Sequence, residues 1–193
     1  MFNYGFRKIS LTSDHQNQIS SFVNADGFLR KGNWKSSAGL KLKIWPATDK
    51  LISDPKISKI IASSLENLIR EEGIELIIAL SLSGIPLGTV ISQYYQIPLL
   101  ILRKTREFHG ERSFFIGEVV NPYRKKVLLV DDSLLTGKTL RVSLNRLKKF
   151  GFTSVNNIFV FDYYFHEDYK GLIQNWAVVN KVSVWFIWEF NFK

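Results

Sequence analysis

From Leu51 to Arg70 the apolar residues Ile57, Ile60, Ile61, Leu65, Leu68 and Ile69 recur at helical spacing and the stripe stops at Gly73, which predicts a helix packed by one face. Glu75 to Leu82 is a short apolar run and predicts a first parallel strand; Ser83-Gly84 then turns the chain into a helix from Ile85 to Tyr95. A second strand follows over Ile97 to Leu102. Between Arg103 and Lys126 the pattern breaks into charged, Gly-bearing sequence with an alternating piece over Ser113 to Val120, which predicts a long functional excursion or hairpin. Val127 to Val130 then reads as a buried strand and Leu140 to Phe150 as a helix closed by Gly151. Val155 to Phe161 and Val178 to Phe186 read as two more strands with a short helix between them.

Strands alternating with helices at this spacing imply an α/β fold: a five-stranded, mainly parallel sheet with right-handed crossovers and helices on both faces. The N-terminal third, with Gly27, Gly32 and Gly39 among many Ser and Lys, is irregular and is expected to cover the open end of the sheet. The organisation expected is a small hood over residues 1–50 and a core over 51–193, forming one compact domain. Ligands in such sheets bind outside the carboxyl ends of the strands, so the loops after Leu82, Leu102, Val130 and Phe161 should converge there.

With 193 residues the chain is long enough for one well-buried core and short for two. No run approaches the ~18 apolar residues of a membrane span, and the polar start Phe2 to Asn17 lacks the apolar core of a signal peptide, so a cytoplasmic protein is expected. The absence of Cys excludes disulfides and thiolate metal sites. His15, His109 and His166 are too scattered for a zinc cluster. A net charge of +9 favours anionic partners, whether nucleic acid, membrane surface or a polyphosphate substrate. Short clusters such as Arg103-Lys104-Thr105-Arg106 and Arg124-Lys125-Lys126 read as solvated faces by default.

The chemistry concentrates in Val127 to Thr139, which joins a buried strand, the acids Asp131 and Asp132, and a loop of phosphate size. Unpaired backbone N–H groups at the start of the next helix suit an anion, Gly137 permits close approach, and Thr136 and Thr139 add hydroxyl donors. The two acids cannot hold a phosphate. At the carboxyl end of a strand they would accept hydrogen bonds from vicinal sugar hydroxyls, so a phosphorylated sugar is the expected ligand. The segment lacks the upstream Gly of a Walker loop. The plainer reading is a strand and turn whose acids cap the next helix.

This segment resembles the ribose-phosphate binding signature of the type I phosphoribosyltransferases, and the wider order of motifs is similar to the orotate phosphoribosyltransferase branch. Ser83-Gly84-Ile85-Pro86-Leu87-Gly88 resembles its pyrophosphate loop, and Arg103-Lys104 followed by His109-Gly110 resembles its mobile loop. The resemblance implies the type I phosphoribosyltransferase fold, 5-phosphoribosyl 1-diphosphate as donor, a nitrogenous base as acceptor, Mg²⁺ held mainly by the donor, pyrophosphate release, a homodimer, and a place in pyrimidine nucleotide biosynthesis. By motif position Asp131 and Asp132 would meet the ribose hydroxyls. Leu135, Thr136, Gly137, Lys138 and Thr139 would bind the 5-phosphate, with Ser83 and Gly84 at the pyrophosphate. Arg103, Lys104 and His109 would screen the departing charge, and Lys35 and Arg106 are further candidate substrate contacts.

The chain departs from that pattern at definite positions. Ser83 stands where the family carries Lys, Glu107 where it carries a second loop Lys, with Arg106 adjacent, and Asp162-Tyr163 where it carries Asp-Arg. The N-terminal Ser-Gly motif is reduced to Gly32-Asn33-Trp34-Lys35-Ser36, with Ser37-Ala38-Gly39 in place of aromatics. A buried orotate carboxylate without a cation would cost several kcal/mol, on the order of a broken buried ion pair. Tyr163, Tyr164 and Phe165 offer stacking faces for an aromatic base, or else ordinary packing. The expected activity is transfer of a phosphoribosyl group to a base, with orotate as the family default. The alternative is a non-catalytic sensor of the donor or a nucleotide that regulates a nucleic-acid or protein partner.

Overall fold

The apolar strands form the middle of a seven-stranded sheet in the computed structural model of the chain, which describes residues 4–25, 27–36, 39–105, 114–118, 121–165 and 167–191. The first half of the chain supplies β1 (Gly5–Lys8), α1 (Ser13–Asn24), β2 (Leu29–Lys35), β3 (Lys41–Pro46), α2 (Pro55–Ser63), α3 (Glu66–Glu72), β4 (Leu76–Leu80) and α4 (Ser81–Tyr95). The second half supplies β5 (Leu99–Leu102), β6 (Phe115–Ile116), β7 (Val127–Leu134), α5 (Lys138–Lys149), β8 (Asn157–Phe165), α6 (Glu167–Val179) and β9 (Ser183–Asn191).

The sheet runs β1-β9-β8-β7-β4-β5-β6, parallel throughout except where β6 pairs antiparallel with β5. The five expected strands are β4, β5, β7, β8 and β9, so the expected number is corrected to seven by the two edges. Both edges are poor strands by pattern: β1 reads Gly-Phe-Arg-Lys and β6 is two residues long. Residues 1–50 serve two places. β1 joins the main sheet beside β9, whereas β2 and β3 form a separate antiparallel ribbon. Phe28, buried at the foot of the ribbon, packs against Phe22 and Phe190 and fastens it to the core.

Local chemistry sets the helix limits. Asp54 accepts from the amides of Lys56 (2.9 Å) and Ile57 (3.2 Å) with Pro55 in the first turn, starting α2. The predicted helix over Leu51 to Arg70 is divided, because the hydroxyls of Ser63 and Ser64 both bond the Ile60 carbonyl, at 3.0 and 2.7 Å, in competition with the backbone ladder. After α3 the chain turns at Gly73 in the left-handed region, as the sequence indicates. The last strand lies later than predicted. Val178 and Val179 end α6, Asn180 and Lys181 turn, and β9 begins at Ser183; an apolar run alone does not separate helix from strand.

Two apolar clusters cover the two faces of the sheet. Ile61, Leu65 and Ile91 pack with Ile77, Leu128, Val130 and Phe159 on one face. Leu140, Leu144 and Ile173 pack with Ile78, Leu129 and Val160 on the other. Each such buried side chain contributes about 1.5–3 kcal/mol of transfer free energy. No helix among the described residues is long and apolar enough to cross a membrane.

Candidate functional site

From β4 the chain proceeds outward to β5, and from β7 it proceeds the opposite way to β8, so the crevice at the carboxyl ends of β4 and β7 is a topological switch point. The start of α4 lies tight against β7 there. A Cβ on Gly84 would sit 2.7 Å from the Val130 carbonyl oxygen and 3.0 Å from Asp131 Cα, so glycine alone permits this approach. Ser81 Oγ lies 2.9 Å from Asp131 Oδ1, 2.6 Å from the Leu80 carbonyl oxygen and 3.0 Å from the Ser83 hydroxyl, and its single proton serves one acceptor at a time. The Asp132 amide donates to the same Asp131 oxygen at 3.1 Å.

These contacts only partly offset the burial of Asp131. Desolvation and then repulsion from Asp132 push its carboxyl well above the usual carboxylate range. Asp132 is half-buried and accepts a 2.6 Å hydrogen bond from Thr48 Oγ1, which follows the ribbon. A third acid stands behind the pair. Asp162 is fully buried, and among the described residues no donor of hydrogen-bonding geometry reaches either of its oxygens, although Ser133, its register partner on β7, lies near enough to offset part of the cost. Burial, then Asp132 and, more weakly, Asp131 raise its carboxyl well above the ordinary value.

Beyond the acids the loop into α5 bounds a small open cleft lined by Asp131, Ser133 and the run Leu134 to Leu140, with Ser36 reaching it from the turn of the ribbon. Gly137 precedes the helix at φ 67°, and a Cβ there would run into Ile173 of α6. The sequence therefore needs glycine at this point for conformation and for space. Lys138 N approaches Thr136 Oγ1 at 3.4 Å, and the Arg141 amide donates to the Gly137 carbonyl at 2.9 Å, closing the first turn. The amides before Arg141 have no acceptor within the helix, an arrangement suited to an anion.

The predicted residues thus meet in part. Ser83 and Gly84 stand beside Asp131, and Leu135, Thr136 and Gly137 in the loop line one cleft with Asp131 and with Lys138 and Thr139, which open α5. Lys35 ends β2, exposed, one residue before Ser36. Arg103 and Lys104 follow β5 at the same carboxyl edge, where Arg146 holds both their carbonyls. Arg106, Glu107 and His109 lie outside the described residues. Tyr163 requires correction as a stacking face: it is 1 % exposed and packed with Phe6 at 4.6 Å and Phe186 at 6.0 Å, part of the core. Its burial also pushes its phenol up to about 12. Ser81, Thr48 and Ser36 were not among the candidate contacts, although Ser36 closes the reduced N-terminal motif. Ser81 carried a usable signal, a small polar residue at the end of a strand, whereas Thr48 sits in sequence without periodicity.

A family model described as "Phosphoribosyl transferase domain" matches residues 47–193. An orotate phosphoribosyltransferase of Methanosarcina acetivorans is 31% identical over 134 residues, which cover 69% of this chain and 71% of that relative. A hypoxanthine/guanine phosphoribosyltransferase of Methanotorris igneus is 34% identical over 120 residues, covering 56% of this chain and 65% of that relative. The crystal structure of a phosphoribosyltransferase from Corynebacterium diphtheriae has the same fold, with a TM-score of 0.73 at 15% identity over 91% of this chain and 96% of its own.

Proposed function

The chain belongs to the phosphoribosyl transferase domain family, a family of transferases, and from that membership we propose that it moves a 5-phosphoribosyl group from 5-phosphoribosyl 1-diphosphate to a nitrogenous base and releases pyrophosphate. The observation that carries this reading is the continuity of the acid pair with the loop into α5, a hydroxyl-binding and a phosphate-binding element on consecutive residues.

In this reading Asp131 and Asp132 accept hydrogen bonds from the vicinal ribose hydroxyls. The first amides of α5, with the Thr136 and Thr139 hydroxyls and Lys138, take the 5-phosphate. Transfer breaks the bond from the anomeric carbon to the diphosphate oxygen, whose electron pair leaves with pyrophosphate, while a base nitrogen supplies the pair for the new bond. Positive charge develops on the sugar and negative charge on the leaving group, so positioned charge does most of the work. Burial raises the Asp131 carboxyl above the ordinary range, and positive charge developing at the anomeric carbon favours its anionic form. Arg103, Lys104 and His109 neutralise pyrophosphate. Ser83 contributes only a hydroxyl at its end of the crevice.

Among the described residues no three His, Cys, Asp or Glu side chains gather as a metal cage. Mg²⁺ commonly keeps its waters and binds through one or two carboxylates plus substrate phosphates, and Asp131 and Asp132 fit that limited role. When bound, the ion supplies charge neutralisation for the diphosphate.

Orotate is the acceptor to test first, after the archaeal relatives of that name, and purines are the comparison. Tyr163 is an uncharged side chain packed in the core, so this position of β8 supplies no cation for an acceptor carboxylate. A pyrophosphate-release screen over pyrimidine and purine bases with Mg²⁺ tests the reading. Release with one class of base is expected; calorimetry showing no affinity for the donor would sink it, as would donor binding without release from any base.

A further inference from the structure

Arg146, on the C-terminal half of α5, reaches away from its helix to the segment after β5. Its Nη1 donates to the backbone carbonyl of Arg103 at 2.8 Å and to that of Lys104 at 3.1 Å. Its Cζ stands 4.1 Å from the ring centroid of Phe114. The Arg103 amide donates to the Phe114 carbonyl at 2.7 Å, so one guanidinium grips both sides of the antiparallel pair. Phe114 and Phe115 pack edge-on against Phe150, at 6.0 and 5.2 Å between centroids, which fixes the pair to the end of α5.

The other end of α5 is the candidate phosphate site. Arg146 lies two turns along the helix from Lys138, roughly 12 Å at the rise of an α-helix. A rigid helix therefore connects the anion loop to the backbone that carries two cations. We propose that Arg146 is a positioning residue that sets the placement of Arg103 and Lys104 relative to the phosphate loop; this rests on the donor reading given above.

Where the backbone of Arg103 and Lys104 is held sets what both side chains can reach. Hydrogen bonds from a charged donor to carbonyls are stronger than neutral ones, and the two N–H bonds of Nη1 reach both carbonyls from one planar group. Phe114 removes water from one face of the guanidinium, strengthening the contacts on its edge. A lysine ammonium supplies the charge without the planar fork. A shift of about 1 Å in a charge that meets the transition state costs on the order of a hundredfold in rate.

The test compares the full chain with Arg146→Met and Arg146→Lys, using two probes, the donor with Mg²⁺ and ribose 5-phosphate, plus steady-state turnover. Ribose 5-phosphate engages the loop and acids but has no diphosphate. Expected for Arg146→Met is a fall in kcat on the order of a hundredfold with weakened donor affinity, unchanged ribose 5-phosphate affinity, and partial recovery in Arg146→Lys. Equal losses for both probes would assign Arg146 a merely structural role, and no loss for either would remove it from the site; both overturn the proposal. Should Arg146→Met fail to fold, Phe114→Leu decides, with the same selective loss in smaller measure expected and equal or absent losses overturning it. A wild-type chain that does not bind the donor overturns the functional reading itself, seen before any variant is compared.

Discussion

Thr48 donates a 2.6 Å hydrogen bond to Asp132 across 84 positions of sequence, fixing the second acid of the pair from the segment that follows the ribbon. Removing the hydroxyl leaves a carboxylate oxygen short of its donor. Thr48→Val should cost about 1 kcal/mol of stability and weaken donor binding, while Thr48→Ser should keep both near wild type. Urea midpoints and calorimetry check this; an unchanged donor affinity in Thr48→Val would separate the bond from the site.

Gly84 has no room for a methyl group between the Val130 carbonyl and Asp131. Gly84→Ala should push the start of α4 away from β7, costing about 1–3 kcal/mol as overpacking and abolishing measurable donor affinity. Wild-type affinity with normal stability would show that the approach of α4 to Asp131 has slack.

Asp162 gives a pH dependence with a definite sign. Its folded value is raised above the ordinary 3.8, so the folded state holds the proton more tightly than the unfolded one. The stabilisation is complete below 3.8 and is lost as pH rises through the raised folded value. Asp162→Asn removes the titration, so its stability relative to wild type should improve steadily from acid toward neutral pH. Denaturant melts of both proteins over that range test it; a pH-independent difference would mean that Asp162 carries no shifted proton.

Tyr163 packs into the core with Phe6 and Phe186. Tyr163→Ala should therefore cost about 3–5 kcal/mol, as for other large buried rings, whereas Tyr163→Phe should leave the ranking of acceptor bases unchanged. A change in base preference in the Phe variant would return this residue to the site.

What was legible in the sequence follows from how each element is buried. β4, β7 and β8 are covered on both faces, so Leu76–Leu80 and Val127–Val130 read as continuous apolar runs and stand where expected. The acid pair and its Gly-bearing loop were legible for a different reason: a tight turn into a helix needs particular residues at particular positions. Tyr163 misled because an aromatic residue after a strand has the same appearance in a pocket and in a core; only the side of the sheet it takes decides. Thr48 and Arg146 act across long separations, and nothing in their local sequence marks the residue at the far end.

β9 lies between β8 and β1, with Gly5 paired to Ser183 on one side and Asn157 to Ser183 on the other. On a chain made from its N-terminus, β1 is made well before β9, its partner among the described residues. It therefore waits as an unsatisfied edge, the condition in which strands stick to other chains. Its sequence suits the wait: Arg7 and Lys8 discourage pairing with a stranger, and Arg7 stacks over Trp185 at 5.0 Å once β9 arrives. The charges that hide this strand from a reading of the pattern also protect it until the sheet closes.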